Sequence, residues 1–251
     1  MPRATTIKDV IHELDTIINN SIETNSRIGL FAYIYRRTTA EIASEINLGN
    51  FNDNKRLEIL DVEFANLYLD TYKAYKNKEK VSASWAYAFD SVDEQLTIVQ
   101  HIMLGMNAHI NLDLAVSTAT VMSGKEIEDI KEDFNKVNDI LFQITNELQD
   151  RLSRVSSLMF IADLIGKNKD EKILDFSMRK AREQSWNSAN LLWALGENEN
   201  KVAKNNIDQV VLELSKNIRK PKSSIVRFVF KLIQKFEIKE VGIIISKLKE
   251  N

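Results

Sequence analysis

The chain has no cysteine, only two prolines and only seven glycines in 251 residues. Without thiols it builds neither a disulfide framework nor a thiolate metal site, and it has no cysteine nucleophile. So few glycines and prolines cannot supply the turns of a sandwich or barrel, and neither GxGxxG nor GxxxxGK[ST] occurs to cradle a phosphate. No apolar run reaches the roughly 18 residues of a spanning helix, and the first residues lack the apolar stretch of a signal peptide. A dominant charge is missing as well: 34 Lys+Arg stand against 36 Asp+Glu. These absences point to a cytoplasmic, all-α multi-helix bundle.

Helix starts and stops are legible along the whole chain. Thr6 with Asp9 caps a first helix to about Ile22, and a second runs from about Arg27 to Ile46, before Gly49. A third starts near Asp53 and reaches about Lys76, and a short aromatic helix spans about Ser82 to Phe89. Two capping-box patterns follow, Ser91 with Glu94 and Ser123 with Glu126. They predict helices to about Met122 and from about Lys125 to Ser153, joined at Gly124 as a central antiparallel hairpin. Further helices are expected over about 155–165, 169–195, 202–218, 224–236 and 238–249. From Lys216 onward ten Lys+Arg meet three Glu, a net +7, so the rest of the chain is acidic. Gly196-Glu-Asn-Glu-Asn-Lys is the natural boundary. It divides a helical core domain (1–196) carrying the polar site from basic C-terminal helices (197–251) packed on it.

The segment Gln95–Met122, QLTIVQHIMLGMNAHINLDLAVSTATVM, is apolar nearly all round and reads as the buried central helix. Its polar residues therefore need partners. At about 100° per residue, His101, Gly105, His109, Asp113 and Ser117 form one ribbon, and Asn107 and Asn111 lie opposite. His109 and Asp113 are about 6 Å apart along the axis, close enough to bond each other or to share a cation. His101 sits about 12 Å below His109, too far to join the same ion easily. A divalent metal would thus need His109 and Asp113 plus carboxylates from other helices, with Asp61 and Asp133 as candidates. Asn107, Asn111, Asn138, Arg36 and Arg182 are candidate ligand-binding groups, the arginines for an anionic group.

The string HIMLGMNAHINLDLAV resembles the hallmark of an uncharacterised, largely bacterial family, domain of unknown function 5995, whose core reads G-x-N-A-H-I-N-x-D-L. Here that core is Gly105, Asn107, Ala108, His109, Ile110, Asn111, Asp113 and Leu114. FAYIYRRTT (Phe31–Thr39), FANLYLD (Phe64–Asp70), SWAYAFD (Ser84–Asp90), DFNKVNDIL (Asp133–Leu141) and, more loosely, FSMRKAREQSW (Phe176–Trp186) also fit, covering about residues 27–195. Ala115 stands where the family commonly has proline. The family name implies no activity. The H-x-x-x-D pair is similar to one in helical zinc-dependent phospholipases C, but three histidines (His12, His101, His109) cannot build their three-zinc site.

Two functions remain. One is a metal-dependent or acid–base enzyme, hydrolase-like, acting on a small, partly apolar substrate through His109 and Asp113. The other is a non-catalytic binding or scaffold protein in which a buried His–Asp pair fixes the register. The aromatic residues Tyr33, Tyr35, Tyr68, Tyr72, Trp85, Tyr87 and Trp186 are core residues that could wall a pocket. No interleaving of aromatic and basic residues marks a nucleic-acid module, so nucleic acid is not an expected partner. The basic helix SSIVRFVFKLIQKF could touch a membrane surface.

Overall fold

A computed structural model describes residues 3–156 and 173–250. The expected helix over 155–165 lies almost wholly outside the described residues, which are helical with no strand. The all-α, multi-helix expectation holds. Helix α1 (Ile7–Glu23) begins at the full Thr6–Asp9 capping box. It packs along α2 (Ile28–Asn47), and α3 (Asn54–Lys76) starts at Asp53, whose side chain accepts the Arg56 N–H. The short α4 (Ala83–Asp90) follows.

The central helix starts later than the first capping pattern predicts. Ser91–Asp93 is a single 3-10 turn, and the Ser91 hydroxyl donates back to the Tyr87 carbonyl. The functioning box is Thr97 with Gln100, which opens α5 (Ile98–Ala108). Two residues far along the chain complete that start: Glu237 accepts the Ile98 N–H, and Gln100 donates to the carbonyls of Ile218 and Arg219. His109–Asp113 is a π-helical turn, closed by the Leu114 N–H on the His109 carbonyl, before α6 (Leu114–Val121) completes the element. A π turn carries one extra residue, so it redirects side chains relative to a regular helix.

Gly124, with φ 70°, ends this segment as expected. Ser123 forms no capping box, because Ile127–Ile130 is 3-10 and α7 (Lys131–Val155) starts only afterwards. That extra turn sets α7 aside: it packs chiefly on α2 and on α10 (Val241–Lys249). The neighbour running lengthwise beside the central helix is α8 (Ile173–Arg219), a helix broken at Gly196, where φ is 70° and ψ is 170°. Only glycine enters that left-handed region without a steric penalty. Trp193, before the break, donates to the carbonyls of Met122 and Lys125. Asn107 donates to the Val211 carbonyl and the Ser215 hydroxyl after it. The helix after the break therefore runs antiparallel to α5.

Gly196 thus breaks a helix, and residues on both sides of it contribute to one hydrophobic core. Val241, Ile244, Ile245 and Leu248 of α10 sit in that core with α1 and α2. Tyr33 of α2 donates to the Leu248 carbonyl. Between α8 and α10 lies α9 (Ser224–Phe236), capped by Ser223.

Candidate functional site

The centre of the molecule is where α2, α3, α4 and the π turn meet. Phe31, Tyr35 and Thr39 recur at helical spacing on α2, and Asp61, Phe64 and Tyr68 do so on α3, so each set shares one face. Gly105, one turn before His109, lets α2 come close: a Cβ there would lie 2.5 Å from Phe31 Cγ. The result is an aromatic cage around His109. Phe64 stacks on its ring with centroids 3.7 Å apart, Tyr35 meets it edge-on at 4.3 Å, and Phe31 and Tyr68 stand 5.7 and 5.8 Å away.

The i, i+4 pair read from the sequence forms directly. His109 Nδ1 and Asp113 Oδ2 are 2.9 Å apart, and both side chains are buried. The same Oδ2 accepts the Trp85 indole N–H at 2.9 Å. Trp85 is a partner the sequence did not suggest, although a buried carboxylate beside one histidine needs a second donor, and the tryptophan of SWAYAFD could have been considered. Its helix is held by Asp208, whose carboxylate accepts the N–H groups of Ala83 and Ser84, an N-cap supplied by α8 and invisible to local reading. Burial lowers the His109 pKa and raises that of Asp113, while their mutual hydrogen bond opposes both shifts. We assign the dyad as neutral imidazole with its proton on Nδ1, facing a carboxylate that already accepts the indole.

Beyond the dyad the cage holds several buried polar atoms without a hydrogen-bond partner. They are His109 Nε2, Tyr68 Oη and Asp61 Oδ2, together with Tyr35 Oη and Thr39 Oγ1, which have no well-formed bond and lean only on each other. Burial, reinforced by Glu58, pushes the Asp61 carboxyl up to about 7 against the pull of Arg182. It pushes the Tyr35 and Tyr68 hydroxyls up as well, with Asp61 adding to the rise at Tyr35. A cluster of such atoms is an unusual cost for a folded core.

The other expected site residues go elsewhere. Asp133 accepts the backbone N–H groups of Asn52 and Asp53 at 2.7 and 2.9 Å, so it anchors the entry to α3. Arg182 is buried and pushed down to about 10; it donates to Asn138 and to the Phe134 carbonyl, tying α8 to α7. Arg36 pairs with Asp15 near the surface, away from the dyad. Asn107 binds α8, and Asn111 donates to Asn107. His101 is buried apart from His109, its pKa pushed down to about 3 by burial and by Arg27. Among the described residues no three His, Asp or Glu side chains converge as a metal site would require. The expected set of His109, Asp113, Asp61 and Asp133 therefore does not assemble around one ion.

A groove of about 450 Å³ lies between the two arms of α8, lined mainly by apolar side chains, and shares only Asn111 with the motif. Next to Trp85 and His101 is a void of about 20 Å³, room for one water. Recognition depends on convergent polar groups, of which the groove has few.

None of the described helices is long and apolar enough to cross a membrane. Neither a curated protein nor a solved structure matches the chain. A family model does match, over residues 7–221, a span wider at both ends than the motifs alone suggest and one that takes in α8 up to and beyond its end. The chain belongs to the family of unknown function DUF5995.

Proposed function

We propose that the protein is an acid–base enzyme for a small, partly apolar substrate, with neutral His109 as the base and Asp113 and Trp85 as its orienting groups. One observation carries this reading: His109 Nε2 is buried without a partner while Nδ1 is fixed by a carboxylate that is itself fixed. That is the arrangement of a general base whose outer nitrogen awaits a donor. Tyr35, Tyr68 and Thr39 supply hydroxyls at the same centre, and Asp61 supplies a carboxyl poised near neutrality. The aromatic walls suit an apolar body carrying one polar group. This version needs no metal.

A second reading, a binding or scaffold protein with a structural His–Asp pair, is favoured by the closure of the cage. His109 is 2 % exposed, and the half-buried Phe64 covers its face. Para-nitrophenol separates the two: its hydroxyl can donate to Nε2, and its absorbance reports ionisation. Under the enzyme reading its spectrum shifts with the wild type and with Phe64→Ala, and not with a folded His109→Gln. No shift with either wild type or Phe64→Ala, together with a purely destabilising His109→Gln, establishes the structural reading.

A further inference from the structure

Helix α9 lies past the end of the family match and presents a surface that the His109 centre does not use. Its inner positions, Val229 and Ile233, are buried against the body. Next to them, over about 80° of helix surface, runs a second apolar stripe that nothing covers. Ile225, Phe228, Leu232 and Phe236 form it, with exposures of 63, 69, 37 and 64 %. The apolar arc of this helix is therefore wider than the protein buries. From Ile225 to Phe236 the exposed positions are these four and two lysines, Lys231 and Lys235, which border the stripe.

The exposed charge on α9 itself has one sign, and Glu240, beyond its end, is the exposed acid nearest to it in the chain. Lys220, Lys222 and Lys239 are also exposed, and none of these five lysines has a carboxylate partner among the described residues. The acid at the end of α9, Glu237, is turned inward, accepting the Ile98 N–H and the Ser156 hydroxyl. Elsewhere along the chain the balance is acidic.

We propose that α9 is a membrane-docking helix that lies flat on an anionic phospholipid surface. Its phenylalanines and aliphatic side chains would enter the acyl boundary, and its lysines would extend to the phosphates. A lipid surface is favoured over a protein partner because, past Ser224 in its first turn, the exposed face offers only apolar groups and ammonium groups. From Ile225 to Phe236 it has no exposed neutral hydrogen-bonding side chain to set a register with a second chain. The helix is already formed and seated, so docking orders little that is not ordered before. This inference is independent of the reading of His109.

The test is co-sedimentation of the full chain with phosphatidylcholine vesicles, with and without phosphatidylserine. Binding is expected only with phosphatidylserine and should fall as salt rises. Neutralising one lysine should weaken partitioning about fivefold, so Lys231→Gln with Lys235→Gln should cost about twenty-five-fold. Phe228→Ser with Phe236→Ser should abolish it while the circular dichroism spectrum is unchanged. The proposal is overturned by three results: no binding to anionic vesicles, equal binding to neutral ones, or indifference to both variants. It is equally overturned if the phenylalanine variant dissolves a dimer, or the lysine variant releases nucleic acid, in a protein that ignores vesicles.

Discussion

Replacing Asp113 tests the dyad at its weakest point. One oxygen, Oδ2, accepts both the His109 and the Trp85 N–H groups, each at 2.9 Å, inside a buried site. Asp113→Ala removes that oxygen and leaves two buried donors unpaired. At about 1–3 kcal/mol for each, the loss should be about 2–6 kcal/mol, a large part of a typical domain's stability. Asp113→Asn keeps an oxygen able to occupy the same place and accept from both rings, losing only the charge assistance, so it should cost about 1 kcal/mol. Trp85→Phe removes one donor. Combined with Asp113→Ala in a double-mutant cycle, it should show a coupling of about 1–2 kcal/mol, as expected for groups in direct contact. Urea denaturation followed by far-UV and near-UV circular dichroism measures the wild type and all four variants. Equal costs for the alanine and asparagine variants, or an alanine cost below about 1 kcal/mol, would refute the shared-oxygen geometry.

Three further outcomes are expected. Diethyl pyrocarbonate should modify His109 far more slowly in the wild type than in Phe64→Ala, because the Phe64 ring stacked at 3.7 Å is the cover over its face; modification at equal rates would show another route in. Asp61, raised to about 7 from 3.8, binds its proton more tightly folded than unfolded, so its share of stability is full below about pH 4 and is lost as pH rises to about 7. His101, lowered to about 3, acts oppositely, losing stability as pH falls below 6.5. The Asp61 contribution is therefore read as the difference between wild type and Asp61→Asn, whose stability should lack the decline from pH 4 to 7. Gly105→Ala should cost about 1–3 kcal/mol in urea unfolding, since its Cβ would lie 2.5 Å from Phe31 Cγ; a neutral change would mean that α2 can move away freely.

What the sequence made legible was local. Thr6, Gly49, Asp53, Gly124, Gly196 and Ser223 mark helix ends or breaks because a cap or a left-handed glycine acts within a few residues. The same logic misplaced the start of the central helix, because three capping patterns compete between residues 91 and 126 and only Thr97 with Gln100 forms. Distant residues support that choice, since Glu237 takes the first amide of α5. The contact of His109 with Asp113 followed from i, i+4 spacing, but the π turn did not, for no local pattern announces an extra residue in a turn. Trp85 and Asp208 were missed for the same reason: they reach the dyad and α4 from other parts of the chain. Asp133 looked like a ligand because it was acidic and near an apolar face. Its burial instead serves two amides of another helix start.

The state of the His109 ring is the most direct measure of the account. Nitrogen-15 NMR of histidine-labelled protein resolves which ring nitrogen carries the proton and whether the ring titrates. The ring should be neutral, with the proton on Nδ1 and an unprotonated Nε2, from pH 8 down through the ordinary histidine range near 6.5, since burial lowers its pKa. A proton on Nε2, or a ring that becomes charged near pH 6.5, would contradict it and remove the base on which the proposed chemistry depends.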